Sequence, residues 1–471
     1  MRELRATAAA VVLLFVGVAS IAVPVQGQCV SSVQLLSARG TTPRFLAGPT
    51  AWNGSILAVA GPELDREEFQ VVLYDEHGNR LAPNEKIRSS GADLLDVLWN
   101  GSEFGIFSIN EDGFLALSRV TTAGKIIDPR VVVVDHVPLQ NDDTADVAWS
   151  SQLGQYVVAW TRTDVGQRTI HVTWLKRDGT VTREATIDDS RIDSFVRVAI
   201  VASGTIGVFY EDDATGDVRL VAINGDTIRK SVTAWSHGDD ITLTTRDNDF
   251  VMVRPVTAGG QTVARWQIID TSGQIVRRDS RLFIGTGADV EPVSLLAMPD
   301  EYALAYLEWP EGRGVGDPYY RLARFGLDEE RISDTYFAAA LGTRRRRERT
   351  DFDFDWTGSA YVSLASNENG DDDDTFLVRY CPLQATVSGP HFAHAGQPVT
   401  LTASAEGGVP DYTYSWTWDD FGAAQGNTLH LSFPTIGDHR VTLTVKDGAG
   451  TTTTESFAFS ILAPKRRSVR K

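Results

Sequence analysis

"DVLWNGSEFGIF", residues 96–107, is a short apolar run, a tight Asn100-Gly101-Ser102 turn, and a second run that alternates. Related phrases return along the chain: "TAWNGSILAVAG" near 50, "DVAWSSQLGQYVVAW" at 146, "RVAIVASGTIGVFY" at 197, "ITLTTRDNDFVMV" at 241, "VSLLAMPDEYALAY" at 293 and "DFDWTGSAYVSLAS" at 353. The seven units begin near 50 residues apart. Alternation with period two is the mark of a half-buried strand, and a Gly-bearing turn between two such runs makes a hairpin.

After each pair a loop leads to a third alternating strand, as in "FLALSRV" from 114 and "IHVTWLK" from 170, then a turn and a fourth strand. The turns carry Gly78, Gly124, Gly179, Gly225, Gly273 and, more loosely, Gly326. Positive φ in such hairpins favours a residue without Cβ. Four antiparallel strands repeated at this period resemble the blades of a seven-bladed β-propeller. Trp52, Trp99, Trp149 and Trp356 fall at the end of the first strand of their units, where packing between blades is the expected role and ligand stacking the rival.

The seventh unit does not finish. After "TFLVRYC" there is a third strand but no Gly turn and no fourth strand before Pro382. The missing strand is available in "CVSSVQLLSA" from Cys29, so the ring is expected to close by that N-terminal strand. Cys29 would then lie where a turn would have followed Cys381, and the two cysteines, 352 positions apart and the only two in the chain, are expected to form a disulfide.

With 471 residues the chain is long enough for more than one core. Residues 1–27, with Arg2, Arg5, the apolar "ATAAAVVLLFVGVASIAV" and a Val25/Gly27 cleavage pattern, read as a signal peptide, the alternative being an uncleaved membrane anchor. No later run is long and apolar enough for a membrane span. The formal charge of −18, or −19 once Arg2, Glu3 and Arg5 are removed, argues against nucleic acid and anionic membrane as nonspecific partners.

From about Gln384 the rhythm changes to short strands with Gly, Pro and Asp turns about ten residues apart, the pattern of a small β-sandwich. "GGVPDYTYSWTW", "FPTIGDHRVTLTV" and the following Asp447-Gly448 resemble a PKD domain. Trp418-Asp419-Asp420-Phe421-Gly422-Ala423 departs from the Trp-x-Phe-Gly-Asp-Gly usual in that family. The resemblance implies an extracellular spacer or a carbohydrate- or protein-contacting module without chemistry of its own. Tyr412 and Tyr414 are read as core or strand-face residues. The expected organisation is a signal peptide at 1–27, the propeller at 28–383, the sandwich at 384–463 and a basic tail, "PKRRSVRK", at 464–471, all in an all-β fold.

The loops joining strand 4 to strand 1, and strand 2 to strand 3, share one face and are the long ones. That face is the expected binding surface. Arg344, Arg345, Arg346, Arg347 and Arg349 enter blade seven and are the candidates for anion or polysaccharide-acid binding. Asp371, Asp372, Asp373 and Asp374 lie in the next loop; they are the candidates for Ca²⁺, although "NENGDDDD" lacks an EF-hand's alternating ligands, and no other cofactor is expected. His237, Asp239, Asp240 and Asp193 are the acid/base candidates if a sugar is turned over. There is no G-x-S-x-G, H-E-x-x-H, P-loop or zinc spacing. His391 and His394 read as surface residues. The sequon at Asn100 loses weight because that residue serves the turn.

These readings point to an exported, noncatalytic, monomeric binding or adhesion protein, secreted or on the cell surface, with an extracellular polysaccharide or surface protein as partner. The alternative is a secreted glycoside hydrolase or lyase with the PKD-like domain as an accessory.

Overall fold

The computed structural model describes residues 32–37, 48–62, 68–81, 85–88, 93–109, 113–132, 144–164, 167–187, 192–236, 241–258, 261–281, 289–309, 319–327, 331–336, 354–368, 373–418, 422–448 and 450–463. All regular structure among them is β. Every sequence unit quoted above falls on the first two strands of its own antiparallel sheet.

From inner to outer strand, sheet 1 holds Thr50–Trp52, Ile56–Pro62, Glu68–Asp75 and Glu85–Arg88, and sheet 2 holds Asp93–Trp99, Glu103–Ile109, Leu115–Thr121 and Ile126–Val132. Sheet 3 follows with Ala145–Ser150, Gln155–Asp164, Gln167–Leu175 and Val181–Ile187. In sheet 4, Ile192–Ile200, Ile206–Asp212 and Asp217–Asn224 are followed by Thr227–Ile228 and Val232–Trp235, both on the third strand. Sheet 5 is Thr242–Arg246, Asp249–Ala258, Gln261–Asp270 and Ile275–Arg281; sheet 6 is Asp289–Ala297, Glu301–Trp309, Tyr319–Gly326 and Arg331–Tyr336.

Sheet 7 contains Phe354–Trp356, Tyr361–Glu368 and Asp373–Tyr380, and its outer strand is Ser32–Ser37 from the other end of the chain. Ser32 stands opposite Arg379 and Leu35 opposite Phe376. The unit that stops early in sequence is thus completed by the strand expected to complete it.

Successive side chains point to opposite faces, and second strands such as Glu103–Ile109 and Ile206–Asp212 are buried almost throughout, so the sheets are apolar on both faces and need a sheet on either side. Seven of the hydrophobic clusters meet that need, lying between sheets 1 and 2, 2 and 3, 3 and 4, 4 and 5, 5 and 6, 6 and 7, and finally 7 and 1. The last joins Leu57, Val59, Val72 and Tyr74 to Val362, Leu364 and Leu377, which closes the ring.

Aromatic rings recur at the first or second position of the second strands. Trp99 packs on Phe104 (4.9 Å), Trp149 on Tyr156 (4.7 Å) and Trp356 on Tyr361 (4.6 Å). The tryptophans therefore serve packing. The same rings reach the preceding sheet: Tyr156 meets Phe107 and Phe250 meets Phe209. Gly105 faces Tyr156, and a Cβ there would lie 2.8 Å from its Cζ; one on Gly207 would lie 2.6 Å from Phe250. Glycine at these positions lets the neighbouring ring approach the strand.

The hairpin glycines Gly78, Gly124, Gly179, Gly225 and Gly273 all have positive φ. Gly326 does not join them, because it ends a strand instead of occupying a turn. Asn100 is fully buried; its Oδ1 accepts from the Ser102 and Glu103 amides, and its Nδ2 donates to Tyr156 Oη (2.8 Å). Such an amide is committed to the turn and closed to glycosylation.

After Cys381 the chain enters a two-layer sandwich. One sheet has Gln384–Ser388, Pro398–Glu406 and Thr428–Ser432; the other runs Phe392–His394, Thr452–Leu462, Gly437–Lys446, Thr413–Trp418 and Gly422–Gln425. Trp416, fully buried, sits in its core beside Val399, Leu401, Val441 and Leu443, with Tyr412 and Tyr414 packed against it. Both tyrosines are structural, as expected. Among the described residues no helix is long and apolar enough to cross a membrane.

Candidate functional site

Strand direction sorts the connections onto two ends of the ring. The hairpin turns within strands 1–2 and 3–4 lie at one end, and the long loops at the other. Arg344, Arg345, Arg346, Arg347, Arg349, His237, Asp239, Asp240, Asp371, Asp372 and Cys29 lie outside the described residues. Asp193, Asp373 and Asp374 have described backbones at strand ends on the long-loop side, but their side chains lie outside the description. Among the described residues no three His, Cys, Asp or Glu side chains group as a metal site requires.

What the described strands present toward the long-loop end is a set of arginines held by aromatic rings and carboxylates. In sheet 5, Arg254 is buried, with its guanidinium 4.6 Å from the Trp235 ring and Nη2 donating to the Ser236 carbonyl (2.9 Å). Ser236 immediately precedes the segment that carries His237, Asp239 and Asp240. In sheet 6, Arg321 donates to Glu308 Oε2 at 2.7 Å and lies 6.0 Å from the Tyr306 ring. Both side chains are below a tenth exposed, 8% and 2%. An ion pair removed from water to that degree contributes little net stability, yet breaking it strands a charge.

In sheet 3, Trp160 stacks on His171 across the strand pair (4.4 Å), and its Nε1 donates to Thr173 Oγ1. His171 is also in hydrogen-bond reach of Thr169 and Thr186. Arg162 and Arg168 occupy the strand ends just above. A cation over an aromatic face, or anchored by a carboxylate, keeps a fixed direction, which suits it to planar anionic groups.

The opposite end holds a cavity of about 230 Å³, lined by Trp149, Ser151, Gln152, Val201, Thr245 and Asp247 among others. Its origin is a substitution within the repeat. By strand register, the tryptophan position of sheets 4 and 5 is occupied by Ile200 and Thr245, which leaves room beside Trp149. Asp247, at φ 52°, takes the left-handed turn position held by Gly54, Gly101 and Gly358 in other sheets. Its backbone carbonyl accepts from the Ala202 amide (2.7 Å) and so ties two turns together.

Where sheet 7 meets sheet 1, a carboxylate does the tying. Thr50 donates through Oγ1 to Asp355 Oδ2 at 2.7 Å, and the Trp52 amide donates to the same carboxyl. Burial pushes Asp355 up to about 6, and those hydrogen bonds only partly oppose it. Asp146 acts similarly between sheets 3 and 4, accepting from the Val198 amide at 2.6 Å. These carboxylates hold inner strands together and do not converge on one another.

The PKD domain model matches residues 382–458. A closed ring of radially packed antiparallel sheets, four-stranded except for the five-stranded sheet 4, precedes it. The chain is a β-propeller followed by a PKD-like domain. No curated protein matches it in sequence.

Solved structures similar to it include the Dos1 propeller, at 10% identity and TM-score 0.43, covering 73% of this chain and 94% of that one. The extracellular domain of a hybrid two-component system from B. thetaiotaomicron aligns at 9% identity and TM-score 0.43, over 93% of this chain and 60% of that one. Drosophila Semaphorin 2a aligns at 9% identity and TM-score 0.42, over 93% and 99%. The fold assignment rests on sheet order and ring closure, since likeness at this level carries no more.

Sequence reasoning passed over the arginines of the propeller strands and the cavity. Ile200 and Thr245 were visible in "RVAIV" and "ITLTT" as departures from the tryptophan position. Arg254 and Arg321 carried no such signal, because single arginines within strands look the same whether solvated or enclosed.

Proposed function

We propose that this chain is an exported binding or adhesion protein that recognises a polysaccharide or a surface protein through the long-loop face of the propeller, without turning it over. The observation that carries the reading is the pair of half-buried arginines, Arg162 and Arg168, at the strand ends of sheet 3 on that side, above the Trp160–His171 stack; Arg254 and Arg321 are buried and brace the strands beneath. Arg162 and Arg168 supply positive groups there, and Arg344 to Arg347 and Arg349 add five more in the connection between the last strand of sheet 6 and the first of sheet 7. Carboxylate- or sulfate-bearing partners fit this chemistry best.

Export follows from residues 1–27 as a signal peptide, with 28–383 as propeller, 384–463 as PKD-like spacer or second contact, and 464–471 as tail. In an oxidising compartment Cys29 and Cys381 form a disulfide. Ser32 pairs with Arg379, and in sequence Cys29 is three residues before the one and Cys381 two after the other; Cys381 is buried, and no described cysteine is free.

A glycan and polymer array on the purified chain, run beside product analysis, tests the reading. Salt-sensitive retention of acidic polymers without cleavage supports it. Release of oligosaccharide products would place the chain among polysaccharide-active enzymes and overturn it.

A further inference from the structure

The repeat acts as an internal control, because copies of one strand, turn and strand show what the fold needs and where one place differs. In sheets 1, 2, 5, 6 and 7 the inner hairpin pairs residues five apart: Trp52 with Leu57, Trp99 with Phe104, Thr245 with Phe250, Ala297 with Tyr302 and Trp356 with Tyr361. Sheet 3 instead pairs Trp149 with Tyr156, and the neighbouring sheet 4 pairs Ile200 with Ile206, so both turns are longer. These two turns flank the cavity of about 230 Å³ beside Trp149.

Further departures fall on the same spot. Sheets 4 and 5 carry Ile200 and Thr245 in place of tryptophan, and Asp247 stands at φ 52° where sheets 1, 2 and 7 have Gly54, Gly101 and Gly358. A side chain in the left-handed region is uncommon and tends to mark a functional place. Closure of the ring does not require these departures to meet, yet all of them line one cavity.

Its walls are fixed in advance. The Ala202 amide donates to the Asp247 carbonyl (2.7 Å), the Ser203 amide to Asn248 Oδ1 (2.9 Å) and Thr245 Oγ1 to the Ile200 carbonyl (3.3 Å). The Leu153 and Gly154 amides both close on Ser150 (3.1 and 2.8 Å). Between the turns lie an apolar side, the half-buried Trp149 with Ile200 and Val201, and a polar rim of Ser151, Gln152 and Asp247. Among the described residues, the Ser151 and Gln152 side chains enter no hydrogen bond. The Asp247 carboxylate, 88% exposed, has Arg246 Nε at 3.9 Å.

We propose that this cavity binds one neutral sugar ring, seated with its C–H face on Trp149 and its hydroxyls on Ser151, Gln152 and Asp247. The site is separate from the long-loop face and does not rest on it. Its volume lies below the ~300–1,000 Å³ of pockets for larger ligands, which limits the occupant to a single ring. An aromatic wall with a few polar groups suits a ligand that is apolar on one face and hydroxylated at its edge. An anion would meet Asp247 on the rim, and a cation would find one solvent-screened carboxylate already beside Arg246. A wholly apolar ligand would desolvate three polar side chains and replace none of their hydrogen bonds to water.

The test is saturation-transfer NMR of the full chain with the methyl glycosides of glucose, galactose, mannose, fucose and N-acetylglucosamine, beside glucuronate and choline as charged probes. At least one neutral glycoside should bind, with a Kd on the order of 1 mM, and more tightly than either charged probe. Asp247→Gly removes the carboxylate, keeps a residue at ease with the turn's positive φ, and should weaken binding about tenfold. Thr245→Trp restores the residue that sheets 1, 2, 3 and 7 carry, fills the cavity and should abolish binding. Unchanged melting verifies that each variant is folded. Binding by no neutral glycoside, tighter binding of choline or glucuronate, or full binding by either folded variant would overturn the proposal. Both variants should retain acidic polymers as the wild type does, so polymer retention judges the long-loop face and glycoside binding judges this cavity.

Discussion

Changing Asp355 to Asn removes a titrating group from the seam between sheets 7 and 1 while retaining an oxygen that can accept from Thr50 or Trp52. In the folded chain Asp355 is raised from the usual 3.8 to about 6, so the native state holds a proton that the unfolded chain has already released. Its contribution is therefore fully present below about pH 4, declines as pH rises through 6, and is flat beyond. Two units correspond to about 3 kcal/mol at most. The variant should lack this decline and exceed the wild type at pH 7.5 by about 1–3 kcal/mol. Calorimetry of both proteins at pH 4.5, 6 and 7.5 reads the difference for the propeller transition. Asp75 and Asp270 do not interfere, because hydrogen bonds in their turns outweigh burial and hold them below the usual carboxylate range. A variant less stable than wild type at pH 7.5, or one with an unchanged decline, would refute the assignment of a protonated latch.

Gly105→Ala should cost about 1–3 kcal/mol by overpacking against Tyr156, measured by denaturant unfolding. Tyr156→Phe should recover only part of that cost, since it leaves the buried Asn100 amide without its acceptor. Glu308→Gln, by leaving Arg321 charged in a nearly closed site, should cost about 3–5 kcal/mol, and a loss under 1 kcal/mol would mean that water reaches the pair. Mass spectrometry after alkylation, with and without reductant, should find Cys29 and Cys381 protected until reduction. An alkylated pair in exported protein would refute the disulfide.

The ring was legible because its rules repeat. Apolar alternation, a turn and a Trp or aromatic return in each unit, so one unit read with uncertainty is corrected by the others. The incomplete seventh unit was equally legible, since a missing strand leaves sheet 7 with an open edge that Ser32–Ser37 can occupy. Site chemistry has no such redundancy. Long loops answer to no period, and the enclosure of Arg254 by Trp235 depends on a strand break at Asn224–Val232 that local sequence does not announce. Asp355 illustrates the same limit. It precedes Trp356 in the repeat phrase, but its role is set by Thr50, 305 positions earlier.

The outer strand of sheet 7 also sets a timetable. Ser32–Ser37 leaves the ribosome first, and its partner Asp373–Tyr380 is made more than 300 residues later. At ~5–20 residues per second that is a wait of tens of seconds. During that interval an apolar strand has unsatisfied backbone groups, a condition that invites pairing with other chains. The ring therefore cannot be sealed until nearly the whole propeller exists. A chain cut short anywhere before Tyr380 would retain several finished sheets and still lack the one contact that makes them a circle.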